Sequence, residues 1–140
     1  MKEAVLKQIQ GTTFAAKANS NHWVLIDNSE VDGGFAAGTS PKELVLCALA
    51  ACTASDVIPI LQKKRVPLKN LEMRVTANER DEFPKIFTTI HLEYIFYGTG
   101  IKNNDVEHAI ELSRTKYCSV SAMLSASAKI THSYRIEPAP

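Results

Sequence analysis

Residues 41–62 limit what this chain can fold into more than any other stretch. Ser40-Pro41-Lys42-Glu43 supplies an N-cap residue, a proline at the first helical position and a glutamate three residues after the cap, the reciprocal arrangement that starts a helix. Helical residues run from there to about Gln62, where Lys63-Lys-Arg65 sets positive charge against the negative end of the dipole and Pro67 stops the helix. Between Leu44 and Ala51 leucines, valine and alanines occupy every face. A helix with no polar stripe must be covered all round, more than one small sheet can manage, so a partner subunit is expected over it. Pro59 removes a backbone hydrogen bond and predicts a kink near Ser55 or Asp56. Asp56 and Pro59 also interrupt the apolar run short of the roughly 18–20 residues of a membrane span, so a buried soluble helix is expected and no membrane partner.

The other elements follow from period and punctuation. Val5–Gln10, Thr12–Lys17 and His22–Asp27 read as three strands of an antiparallel meander within residues 1–28, and Asn28–Gly38, with Asp32-Gly-Gly34 inside it, reads as a loop. After the helix of residues 40–63, residues 69–137 hold strands, two short helices and a final strand. Asn70–Ala77 and Ile86–Tyr97 alternate with period two as an antiparallel pair. Asn104 followed by Glu107 signals a helix cap, and Val106, Ala109, Ile110 and Leu112 give a helical apolar face to about Lys116. A shorter helix is expected over Ser119–Ala126 and a closing strand over Lys129–Ile136, before Pro138 and Pro140. The pattern is α+β, with helices on one side of antiparallel sheet, in one domain over residues 1–140.

Composition excludes several functions. The net charge is +1 with acidic and basic residues interspersed, so no basic stripe offers itself to nucleic acid. The N-terminal ten residues alternate polar and apolar and build no secretory h-region, which predicts a cytoplasmic protein. Three cysteines then suit a reduced thiol environment better than a disulfide framework. His22, His91, His108 and His132 are dispersed, with no ligand spacing and no Cys-x-x-Cys, so neither a metal nor a cofactor is expected.

The cysteines carry the chemistry. Cys52 lies in the apolar helix, where a small core residue is the plainer reading, since free cysteine is among the most buried residue types. Cys118 precedes the Ser119 helix, where unpaired N–H groups lower a thiol's pKa; it is a thiolate site or a capping residue. Cys47 lies five residues before Cys52, about 140° around the helix, and should point elsewhere.

Several segments in order carry a more specific signal: Ser40-Pro-Lys-Glu-Leu-Val-Leu-Cys-Ala-Leu-Ala-Ala-Cys52, Glu79-Arg80 with Pro84-Lys-Ile-Phe87, Glu111-Leu-Ser, Lys116-Tyr-Cys-Ser-Val-Ser-Ala-Met-Leu124 and Ile130-Thr-His-Ser-Tyr134. Together they resemble the OsmC/Ohr family of osmotically inducible and organic hydroperoxide resistance proteins over nearly the whole chain. The resemblance implies an intertwined homodimer, its antiparallel sheet wrapped around long central helices, and thiol-dependent peroxidase activity. It implies Cys52 as the peroxidatic thiol and Cys118 as the resolving one, with a thiol reductant that is lipoyl-dependent in some members.

The chain also departs from that pattern. Glu43 stands one position later than the family glutamate, whose place Lys42 holds, and it already has a capping role. No arginine precedes Arg65, so the chain resembles a branch lacking the hairpin arginine, with Lys17 as the hairpin's cation and Arg80 either a substitute from the sheet or a surface ion-pair residue. Asp56 shares the face of Cys52 and would oppose thiolate formation unless the kink turns it away. His132 alternates onto the face of Ile130, Tyr134 and Ile136, as a satisfied core histidine or a site residue. Two functional readings stay open: a peroxidase of organic hydroperoxides or hydrogen peroxide in oxidative stress defence, and a non-catalytic or redox-sensing protein binding an apolar ligand at the dimer interface.

Overall fold

At Gly11, which takes φ 54°, the chain reverses, folding β1 (Ala4–Gln10) antiparallel onto β2 (Thr13–Ala18), and β3 (Val24–Ile26) completes the meander. The computed structural model describes residues 1–139, and they pack as two compact units, Met1–Val45 and Leu46 onward. In the first unit the loop after β3 winds around Asp27, 1% exposed. Its carboxylate accepts hydrogen bonds from Thr12 Oγ1 (2.9 Å), Thr13 Oγ1 (2.8 Å), Phe35 N–H (3.0 Å) and Ala37 N–H (3.2 Å). Burial alone would raise the pKa of this acid, but the four donors outweigh it and hold the carboxyl at about 2. Gly34 serves the same loop: a Cβ there would lie 2.2 Å from the Asn28 carbonyl oxygen, so a side chain cannot fit. β1 is exposed along its whole length, Val5, Leu6 and Ile9 included.

The helix α1 (Pro41–Lys63) starts as its capping residues predict, with the Glu43 carboxylate accepting from the Ser40 N–H at 3.1 Å. It continues through Pro59 to Lys63. Of its all-round apolar surface, the line Leu49, Thr53, Val57, Leu61 is buried, one residue every turn. Cys47, Ala48 and Ala51 are exposed. The helix is more apolar than Asp56 and Pro59 suggested: a window of 18 residues has mean hydropathy 2.1, enough by length and composition to cross a membrane, and 22% of that window is buried.

In the second unit β4 (Leu68–Glu79) and β5 (Phe87–Gly98) pair antiparallel, Met73 opposite Tyr94. Then comes α2 (Asn103–Leu112), a π-helical turn (Ser113–Tyr117), α3 (Ser119–Leu124) and β6 (Lys129–Glu137). The expectation of wholly antiparallel sheet fails at β6, which lies parallel to β5 with His132 opposite Leu92. Strands joined by a helical crossover run parallel because the crossover carries the chain back before the next strand begins. Two boundaries also differ from expectation. The N-cap of α2 is Lys102, not Asn104, and its side chain makes no capping bond; regular helix ends at Leu112, where the turn widens, and not at Lys116. Leu49, Val57 and Leu61 of α1, Ile90, Leu92, Tyr94 and Phe96 of β5, and Val106, Ala109 and Ile110 of α2 form the core.

Candidate functional site

The π-helical turn places the later cysteine. Its wide ring closes with the Cys118 N–H donating to the Ser113 carbonyl at 2.9 Å, five residues back. Cys118 leaves this turn with extended backbone, φ −73° and ψ 101°, and becomes the N-cap of α3, its Sγ accepting the Ser121 N–H at 3.4 Å. It is 4% exposed. From α1, Thr53 Oγ1 approaches the same sulfur at 3.8 Å, and Cys52, the residue before it, lies close enough to raise the Cys118 thiol's pKa. Sixty-five residues separate Thr53 from Cys118 in sequence. All three cysteines are free thiols: Cys47 exposed, Cys52 half-buried and Cys118 buried.

Burial pushes the Cys118 thiol up, the Ser121 N–H and Thr53 pull it down, and the neighbouring Cys52 adds to the rise. A small cleft of about 10 Å³, room for about one water, opens beside it, lined by Thr53, Leu92, Tyr94, Ile110, Arg114, Cys118, Ser121, Ile130 and His132. Tyr94, 1% exposed and stacked on Phe96 at 5.8 Å between centroids, has its hydroxyl pushed up by burial first and by the Cys118 charge second, with Thr53 pulling the other way. Arg114 is held in a fork by Glu111, with Nη2 to Oε2 at 3.1 Å and Nε to Oε2 at 3.3 Å. His132 is held below its ordinary range by partial burial and then by the Arg114 charge, against an opposing pull from Glu111.

The structure therefore brings Cys52, Cys118 and His132 into one neighbourhood and leaves other candidates elsewhere. His132 lines the cleft and is exposed, so it is not the satisfied core histidine its alternation suggested. Arg80 holds the connection between β4 and β5, its Nε donating to the Pro84 carbonyl and its N–H to the Ile86 carbonyl; the cleft lining does not include it. Glu43 caps its helix. Lys17 is not alone in the hairpin: Lys7 and Lys17 both sit over the Trp23 ring, at 5.7 and 4.9 Å, and Lys17 also bonds Asn21 Oδ1 at 2.7 Å. Asp56 accepts the Ser113 hydroxyl at 2.9 Å, which ties α1 to the π turn, and its charge still reaches the cleft, where it raises the Tyr94 hydroxyl. Sequence reasoning passed over Thr53, Tyr94 and Arg114. The available signals were the position of Thr53 directly after Cys52 and of Arg114 four residues before Cys118. Among the described residues no group of three or more His, Cys, Asp or Glu is placed to hold a metal ion.

Comparisons with known proteins bear on the family and the fold. The sequence model of the family described as OsmC-like protein matches residues 32–133. The protein YhfA of Escherichia coli K12 is 40% identical over 134 residues, 96% of this chain and 97% of its own length. Among solved structures, a hypothetical protein from Aquifex aeolicus VF5 is 28% identical with TM-score 0.88, covering 100% of this chain and 98% of that one. An organic hydroperoxide resistance protein OsmC from Legionella pneumophila shares the fold at 17% identity and TM-score 0.72, over 96% of each chain.

Proposed function

We propose, from the premise that this chain belongs to the OsmC-like family, that it is a thiol-dependent peroxidase reducing organic hydroperoxides or hydrogen peroxide. The observation that carries this reading is the Cys118 sulfur set 3.8 Å from Thr53, the residue directly after Cys52 on α1, which puts the two cysteine positions side by side from distant parts of the sequence. The Cys52 thiolate attacks the terminal peroxide oxygen; the O–O bond breaks and the departing alkoxide takes a proton as the alcohol, leaving Cys52 as a sulfenic acid. Cys118 then attacks that sulfur as a thiolate. An S–S bond forms, the S–O bond breaks, and the released hydroxide takes a proton to become water. A dithiol reductant, itself oxidised to a disulfide, returns both thiols. The cytoplasm, where thiols are kept reduced, suits such a cycle.

The uncovered faces of α1 and the exposed β1 favour a homodimer as the working form, since apolar surface of this extent is seldom left in water. Sedimentation at the mass of one chain would remove that part of the reading. Purified protein with dithiothreitol should consume cumene hydroperoxide catalytically, and Cys52→Ser should bring consumption down to the uncatalysed rate. Full turnover by that variant refutes the assignment of Cys52. No turnover by the parent protein, with saturable binding of an apolar ligand, favours instead a redox-sensing or binding role on the same scaffold.

A further inference from the structure

We infer that Thr53 is the positioning residue of the buried thiol: its hydroxyl, set between the Leu49 carbonyl and Cys118 Sγ, turns its single proton onto the sulfur when Cys118 ionises. The inference rests on the Cys52 and Cys118 reading above and assigns the group that makes the second thiol a nucleophile. Thr53 is 2% exposed. Its Oγ1 donates to the Leu49 carbonyl one turn back, a common bond for threonine inside a helix. The 3.8 Å distance to sulfur is long for a hydrogen bond, as expected while the only hydroxyl proton stays on the carbonyl.

Loss of the Cys118 proton changes which acceptor is stronger. A buried thiolate needs donors, and the Ser121 N–H at 3.4 Å supplies one. Rotation of the Thr53 hydroxyl about its Cβ–Oγ bond supplies a second without moving any heavy atom far. The Leu49 carbonyl does not become an orphan, because the helix gives it the Thr53 backbone N–H.

The ionisable groups around the sulfur are Cys52 and Asp56 from α1, Tyr94 from β5, Glu111 from α2, Arg114 from the π turn and His132 from β6. Asp56 is engaged by Ser113 and Arg114 by Glu111. With Cys52 replaced, Thr53 and the Ser121 N–H are, among the described residues, the neutral groups within reach of the sulfur, and of these two only Thr53 can be removed by changing a side chain.

Thr53→Val keeps the shape and deletes the hydroxyl; Thr53→Ser keeps the hydroxyl. In a protein whose other cysteines are replaced, Cys47→Ser with Cys52→Ser, the ultraviolet absorbance of the Cys118 thiolate is followed against pH. With Thr53→Val the curve moves to higher pH, with roughly tenfold less thiolate on the rising limb, as the loss of one hydrogen bond to a charged group requires. Thr53→Ser restores the parent curve. A valine variant that melts at the parent temperature and titrates on the parent curve overturns the inference. In the otherwise native protein given one equivalent of peroxide, Thr53→Val slows disulfide closure about tenfold and leaves sulfenic acid formation at Cys52 unchanged. A parent protein that never forms the disulfide defeats the peroxidase reading, while the titration still judges Thr53 by itself.

Discussion

Asp27 in the N-terminal unit and Cys118 in the second are both acids removed from water, at 1% and 4% exposure, and their surroundings treat them oppositely. Four donors converge on the Asp27 carboxylate, two hydroxyls and two backbone N–H groups, and its pKa falls to about 2 despite burial. The Cys118 sulfur has one backbone N–H and a distant hydroxyl shared with a carbonyl, and burial wins: its pKa rises. The lesson is one of supply. Enough donors make a buried acid a permanently charged anchor that organises a loop, whereas too few leave it neutral at rest and able to change state when its neighbours do.

The comparison can be broken most strongly at Asp27. Asp27→Asn keeps the shape but replaces one acceptor oxygen by a donor, leaving part of the Thr12, Thr13, Phe35 and Ala37 set without a partner. Thermal melting at neutral pH should fall by several degrees. Because the folded pKa is lowered from 3.8 to about 2, the stabilisation is complete above pH 4 and is lost as pH falls through that interval. The gap between parent and variant should therefore narrow on acidification; a gap independent of pH would show that the carboxylate's charge is not what holds the loop.

A smaller effect of the opposite sign belongs to Cys118. A thiol whose folded pKa is raised above 9 keeps its proton longer when folded than when unfolded, so stability is complete below pH 9 and falls as pH rises beyond it. Urea midpoints measured on either side of pH 9 should drop less in Cys118→Ser than in the parent, and equal drops would contradict a raised thiol.

The smallest expected effect sharpens the picture at the cleft. Arg114→Met keeps a long side chain and removes the charge, so the His132 midpoint followed by NMR should rise by a fraction of a pH unit. Partial burial, the larger cause, remains. An unmoved midpoint would mean that Arg114 does not act on the imidazole.

Much of this was legible before any coordinates because the signals were local. The start of α1 is written in four consecutive residues, and the thiols could be read from their flanking segments. Strand direction was not legible. Alternation in Lys129–Ile136 marks a strand and a face but is the same read either way, so only the crossover path reveals that β6 lies parallel to β5. His132 was placed on the correct face of that strand, yet the face opens into a cleft, and openness is a property of the neighbours. Arg114 depends on a π-helical turn, whose extra residue rotates everything after it and leaves no compositional mark. Thr53 looks like filler in an apolar helix until a sulfur from a distant segment is set against it.

The parallel placement of β6 has an evolutionary corollary. Two antiparallel strands can be joined by a short reversal, but a third strand running alongside in the same sense obliges the chain to travel back the length of the sheet first. Arg114, Cys118 and Ser121 lie on that return journey and His132 on the strand it delivers. The hairpin of β4 and β5 pairs without it. Descendants of this chain can thus revise the return segment residue by residue, trading one reactivity for another, while the hairpin beneath keeps its own register.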